Sequence, residues 1–186
     1  MPRMPRQIET ARLTLRPFVD ADIEAIVAYR SEPGLWDYLR ADRPDPYDRA
    51  EARTFLDRVH AGPWTGQPWY AVCMENRVIG DIDLTIDAAN RNAEIGYTLS
   101  PTHWGQGLAT EGAAAVVGRA FSTLDLVAVW AETDERNVAS WRVMEKLGMR
   151  REGVLRHRHS KDGVPTNWVV YGVLSEEWAA SNEEIE

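Results

Sequence analysis

The sequence predicts an α/β (α+β) domain with a mixed, mostly antiparallel central sheet flanked by helices, and three observations predict it. Three segments between Trp69 and Leu99, two of them cleanly alternating, are joined by connections short enough for an antiparallel meander. A glycine-rich segment, Trp104–Ala109, opens directly onto a helical run of small residues. Beyond it the chain alternates strand, helix and strand pair.

Each element has its own reason. Residues 1–8 read as flexible. Leu13–Arg16 alternates apolar and polar and is an opening strand that Pro17 ends. Asp20 can cap a helix whose apolar face is Ile23, Ile26 and Val27, and Pro33-Gly34 stops it. Leu35–Tyr47 is aromatic, charged and broken by prolines, so it is a loop. Arg49–His60 is a second helix, with Phe55, Leu56 and Val59 on one side. The meander strands are Trp69–Met74, Val78–Ile86 and Ala93–Leu99. In the second, Ile82, Leu84 and Ile86 oppose Asp81, Asp83 and Thr85; in the third, Ile95, Tyr97 and Leu99 oppose Glu94, Gly96 and Thr98. A helix over about Thr110–Thr123 follows, then a strand over Val127–Thr133 and a helix over Asn137–Leu147. Gly148 is a left-handed stop for that helix and Met149 its apolar contact. The end reads as strand (Val154–Arg158), turn (Asp162-Gly163), strand (Asn167–Leu174) and a short acidic helix from Ser175, with 179–186 as an acidic tail.

The 186 residues, 44% apolar and 27% charged, fit one globular domain spanning 1–186 and exclude whole-chain disorder, collagen and coiled coil. The single cysteine, Cys73, excludes an internal disulfide and a thiolate zinc site. A net charge of −8 with no basic patch argues against a nucleic-acid partner and suits cationic partners, amines included. No apolar run is long enough to span a membrane. The start, Met1–Arg6, lacks the apolar stretch of a signal peptide, so the expected location is the cytoplasm.

Several constellations could carry chemistry. Gly105-Gln106-Gly107-Leu108-Ala109-Thr110-Glu111 joins a strand end to a helix start. Glycines let consecutive N–H groups face one concavity, and the helix adds its unpaired amides and positive dipole end, which suits a phosphate or pyrophosphate. A glycine turn before a capped helix is the plainer reading. It is neither a P-loop nor a dinucleotide fingerprint. Asn137-Val138-Ala139-Ser140 reads locally as an N-cap. His157 and His159 share a strand face without a third ligand, so no metal is expected. Asp81 and Asp83 also share a face, but a glycosidase-type acid pair is improbable in so small a domain. Trp36 and Tyr38 lie in the Leu35–Tyr47 loop, where burial is harder, and are the candidates for contact with an acceptor.

The order of motifs resembles the RimJ/RimL type of the GNAT superfamily of acyl-CoA-dependent N-acyltransferases. The residues that carry it are Glu9–Pro17, Glu94-Ile95-Gly96-Tyr97, Trp104–Glu111, Asn137–Ser140 with Glu145–Met149, and Tyr171-Gly172-Val173-Leu174 with Glu177-Trp178. The resemblance implies a GNAT fold, acetyl-CoA as co-substrate and no metal. It implies that Gly105 and Gln106 to Thr110 (Gln106, Gly107, Leu108, Ala109, Thr110) hold the pyrophosphate, that the backbone near Thr98 and Leu99 pairs with pantetheine amides, and that Asn137 touches the cofactor arm. Ser140 matches a serine proposed to protonate the departing thiolate. Two positions depart from the pattern: Trp104 stands first in the loop, and Asn167-Trp168 stands where an acid is frequent. A homodimer is also in keeping with the family.

The chemistry agrees with that layout. A primary amine, on a protein N-terminus or a small molecule, must be neutral to attack a thioester. The pKa of an α-amine is about 7.7–8, so the cost is modest. Glu94, on the face opposite Ile95 and Tyr97, is the candidate base, through water; a solvated strand carboxylate is its plainer reading. Acetylation of an aminoacyl-nucleotide or antibiotic, with Trp36 or Trp69 stacking a base, and a non-catalytic acyl-CoA sensor are the alternatives.

Overall fold

A computed structural model describes residues 3–183. Its strands are β1 (Ile8–Glu9), β2 (Thr14–Pro17), β3 (Trp69–Met74), β4 (Arg77–Asp87), β5 (Asn92–Leu99), β6 (Ala128–Asp134), β7 (Arg150–Lys161) and β8 (Val164–Leu174). Its helices are α1 (Ile23–Arg30), α2 (Arg49–Ala61), α3 (Leu108–Thr123), α4 (Val138–Lys146) and α5 (Ser175–Glu183). The strands form one sheet in the order β1-β2-β3-β4-β5-β6-β8-β7, antiparallel throughout except at β5–β6.

Two cores lie on the two faces. The alternation in β4 sends Ile82 and Leu84 into the larger one, with Leu15, Val116, Val117 and Met144. The other packs Phe18, which follows β2, with Ile26 of α1 and Phe55 and Leu56 of α2 onto Ala71 and Cys73 of β3. Burying each such side chain contributes roughly 1.5–3 kcal/mol. Asp48 caps α2 by accepting from the N–H groups of Ala50 (2.8 Å) and Glu51 (3.1 Å), a contact worth about 1 kcal/mol. Gly148, at φ +73°, ends α4, and the Met149 N–H donates to the Met144 carbonyl at 3.1 Å. That is the stop expected from the sequence.

Four expectations shift. Over its described part, the flexible lead-in is packed: Met4 is 1% exposed and Ile8 pairs with Leu15. The Trp64 indole donates to the Met4 carbonyl at 3.0 Å, and the Tyr70 hydroxyl to that of Pro5 at 2.6 Å. Two apolar residues among prolines and arginines leave no periodicity to read. Helix α3 starts at Leu108 rather than Thr110, because Gly107 already turns the chain and Leu108 is buried. Strands β7 and β8 are longer than Val154–Arg158 and Asn167–Leu174, since β7 is mostly exposed and carries little apolar alternation. A register shift between Leu155 and His159, with His157 at φ +52°, breaks the shared face expected for His157 and His159. The acidic tail falls partly beyond residue 183, outside the described residues.

Candidate active site

The site is built on one irregularity of the sheet. β5 and β6 pair in parallel over Asn92–Glu94 and Ala128–Trp130, then separate while both strands continue. Two cavities, of about 620 and 610 Å³, occupy the opening. Tyr38, Leu39, Tyr97, Thr98, Asn137 and Ser140 line both, so the cavities meet there.

One cavity is built around a glycine turn and the head of α3. Gly105 (φ +73°) and Gly107 (φ +77°) both adopt the left-handed region, which costs other residues strain. A Cβ on Gly105 would find no atom within 4 Å, and one on Gly107 would approach only Arg12, at 3.7 Å. Gly107 is the N-cap of α3 and supplies no side-chain cap, so the first amides of a 16-residue helix face the opening. Thr98, Leu99, Leu108, Ala109 and Thr110 line this cavity as well. Gln106 turns aside and donates to the Thr102 carbonyl at 3.3 Å. Trp104, 48% exposed, donates its indole N–H to the Leu99 carbonyl at 2.7 Å. One acceptor that the resemblance leaves for pantetheine is therefore already in use.

Arg12 braces the loop from behind. Its Nη1 donates to the Gln106 carbonyl at 2.9 Å, and its Nε to Glu111 Oε2 at 2.6 Å. Glu111 also accepts from Thr10 (2.6 Å) and the Arg12 amide (2.8 Å). Burial pushes the Glu111 carboxyl up, but these bonds outweigh it and hold its pKa below the usual value. On the other rim, Asp134 holds Arg136 through contacts of 2.9 and 2.6 Å. Burial raises the Asp134 carboxyl too, and Arg136 overrides it, leaving the pKa lowered.

At the junction, Asn137 is an N-cap: its Oδ1 accepts from the Ser140 N–H at 3.2 Å. The Tyr97 hydroxyl donates to the Ser140 carbonyl at 2.9 Å and stands 3.1 Å from Ser140 Oγ. Burial pushes the Tyr97 phenol well up, so it stays protonated. Ser140 thus has its hydroxyl on the cavity wall with a neutral phenol beside it.

The second cavity is walled by side chains. Arg40, from the loop between α1 and α2, bridges the separated strands: its Nη2 reaches Glu94 on β5 at 2.5 Å and Glu132 on β6 at 2.7 Å. Its guanidinium also lies 5.4 Å from the Trp168 ring centroid. Asp81 is buried and accepts from Arg30 and the Tyr29 hydroxyl, both at 2.7 Å. Asp83 lines the cavity and is pushed up to about 7, first by burial, then by Asp81 and Glu94. Trp36 and Tyr38 also line this cavity. The Trp36 indole is spent on the Arg30 carbonyl at 2.7 Å, and its ring packs on Tyr47 at 5.7 Å. Among the described residues no group of three or more His, Cys, Asp or Glu could hold a metal ion, and no helix is long and apolar enough to cross a membrane.

The acetyltransferase (GNAT) domain family matches residues 12–150. The chain belongs to that family. This GNAT chain is 32% identical over 169 residues to the uncharacterized N-acetyltransferase YoaA of Bacillus subtilis (strain 168), covering 90% of this chain and 96% of YoaA. It superposes on a GNAT-family acetyltransferase from Bacillus anthracis with a TM-score of 0.80 and 27% identity, over 91% of this chain and 99% of that one. Mycobacterium smegmatis RimJ, solved with CoA-disulfide, shares the fold at TM-score 0.84 and 19% identity, over 97% of each chain. The GNAT protein is an acyltransferase.

Sequence reasoning placed the loop, Asn137, Ser140 and Glu94 at one site. It missed Arg12, Arg40, Glu132 and Tyr97, and set Asp83 aside. Arg12 lies inside the motif Glu9–Pro17, and Tyr97 inside Glu94–Tyr97; both had a local signal. Arg40 and Glu132 had none.

Proposed function

We propose that the chain is an acetyl-CoA-dependent N-acetyltransferase whose acceptor is a primary amine, on a protein N-terminus or a small molecule. The observation that carries this reading is the meeting of two unlike cavities in the β5–β6 opening. One offers backbone N–H groups and a helix N-terminus, which suit a pyrophosphate. The other offers carboxylates and aromatic faces, which suit a cation.

The glycine cradle fits the group the family implies, because Gly105 and Gly107 hold the left-handed turn that leaves the first amides of α3 without a side-chain cap. Gly105, Gly107, Leu108, Ala109 and Thr110 would hold the pyrophosphate, and β5 near Thr98 the amide arm. Acetyl-CoA supplies the activated acyl group as a thioester. The chain's own residues do the rest. The aromatic walls and carboxylates orient the amine, which can contribute most of the acceleration by removing the cost of encounter. The Ser140 hydroxyl, at the head of α4, stands ready to give a proton to a departing thiolate, whose conjugate acid has a pKa near 8.5.

The test is direct. Acetyl-CoA should raise the melting temperature in proportion to the logarithm of its concentration. Free thiol should then appear when phenethylamine, spermidine or Ala-Ala-Ala amide is added, with the acetylated product seen by mass. Stabilisation without thiol release on any of the three would favour an acyl-CoA sensor instead.

A further inference from the structure

We propose that Asp83, rather than Glu94, receives the acceptor's ammonium and takes its proton; this rests on the transferase reading above. Asp83 stands on β4 in register with Trp69 of β3 and Gly96 of β5. A Cβ on Gly96 would come 2.6 Å from Asp83 Oδ1. The carboxylate therefore lies over the one position of β5 that leaves it room, two residues past the last β5–β6 pair at Glu94.

Glu51 of α2 also lines the cavity without a side-chain partner among the described residues, but the three sheet carboxylates around Asp83 are engaged. Asp81 is held by Arg30 and Tyr29, Glu94 by Arg40, and Glu132 by Arg40 at 2.7 Å with His159 at 3.3 Å. Asp83 has no hydrogen-bond or ion-pair partner among the described residues. A half-buried carboxylate without a partner is costly, and an incoming ammonium is the ligand that offsets the cost. Trp69, beside it, adds an aromatic face to a cation.

The groups that face Asp83 set how readily it takes a proton. After burial itself, Asp81 from its own strand and Glu94 from β5 raise its pKa, against Arg40 from the loop and Arg58 from α2, to about 7. Arg30 of α1, Glu51 of α2 and Glu132 of β6 line the same cavity. The step is one proton: an N–H bond of the ammonium breaks, its electron pair stays on nitrogen, and an O–H bond forms on Asp83. The cavity mouth then returns that proton to water. An ordinary carboxylate, at about 3.9, would disfavour transfer from an α-ammonium by about 10⁴-fold; at about 7 the penalty falls to about tenfold.

The experiment compares wild type with Asp83→Asn, Asp83→Glu and Glu94→Gln, using phenethylamine, spermidine and Ala-Ala-Ala amide with saturating acetyl-CoA from pH 5.5 to 9. In wild type, kcat/KM should rise with pH through a midpoint near 7. Asp83→Asn should lower kcat/KM at least 100-fold and lose that limb, while Asp83→Glu restores part of the rate. Acetyl-CoA affinity by calorimetry should stay within twofold. A second readout needs no acetyl-CoA: a carbon-13 carboxyl resonance of the free protein should titrate near pH 7 and vanish in Asp83→Asn. Melting should separate loss of chemistry from loss of fold. Asp83→Asn should melt higher than wild type above pH 7, because a carboxyl whose folded pKa is raised weakens the fold progressively from about pH 4 to pH 7. A folded Asp83→Asn within threefold of wild type, or a limb lost in Glu94→Gln but kept in Asp83→Asn, overturns the assignment and leaves the transferase standing. A wild-type protein that binds acetyl-CoA and turns over none of the three amines overturns the transferase reading and the base with it.

Discussion

The two cavities that meet at the β5–β6 opening are made from different material. The proposed donor side has a main-chain cradle, two left-handed glycines and the exposed amides of α3, with side chains such as Tyr97, Arg136 and Lys146 around it. The proposed acceptor side has no such cradle and draws its residues from α1, the loop after it, α2, α4 and five strands. Backbone geometry tolerates any residue that does not block it, so the donor side can stay constant while the sequence around it drifts. A side-chain cavity changes with each substitution, which is how one fold can serve many acceptors.

Substitutions should therefore act very differently on the two sides. The largest effect belongs to Gly107→Asp. An aspartate at φ +77° strains the turn that exposes the first amides of α3 and adds a negative charge next to them. Calorimetry should show acetyl-CoA affinity falling at least 100-fold, with the amine side untouched. Unchanged affinity would mean that the cradle is only a turn.

Ser140→Ala tests the junction. It should lower kcat about 10–100-fold while acetyl-CoA binding barely moves, because the hydroxyl acts on charge that develops in the transition state. A kcat within twofold of wild type would shift the proton to Tyr97 or water. Arg12→Ala should have the smallest effect. It removes the brace on the Gln106 carbonyl from a half-exposed position where water weakens the charge, so acetyl-CoA affinity should drop about 3–10-fold, the size of an ordinary hydrogen bond. Loss of acceptor affinity instead would show that the brace supports the wrong cavity.

This asymmetry also decides what could be read beforehand. The meander, both flanking helix pairs and the Gly148 stop follow from periodicity and local turn chemistry, and all are found. The glycine loop was legible because its signal is contiguous. Arg40 was not, because its partners Glu94 and Glu132 lie 54 and 92 residues away and nothing in the loop announces them. Asp83 was visible as one of two acids on a strand face. Its importance depends on Gly96 of the next strand, a glycine without any local reason to be there. The lead-in differs from the expected flexible segment for a similar reason: Met4 and Pro5 are held by Trp64 and Tyr70, which arrive some sixty residues later.

The short β5–β6 pairing has a further consequence. Past Glu94, β5 has no β6 partner, so alternate residues of 95–98 turn main-chain N–H and C=O groups toward the opening, while Trp104 covers the Leu99 carbonyl. The sheet thus carries an edge in its middle, with the self-association hazard that any free edge brings. A ligand threaded through the opening caps that edge. Storage with acetyl-CoA should therefore slow aggregation beyond what its effect on melting temperature accounts for, since it removes the sticky surface as well as the unfolded chain.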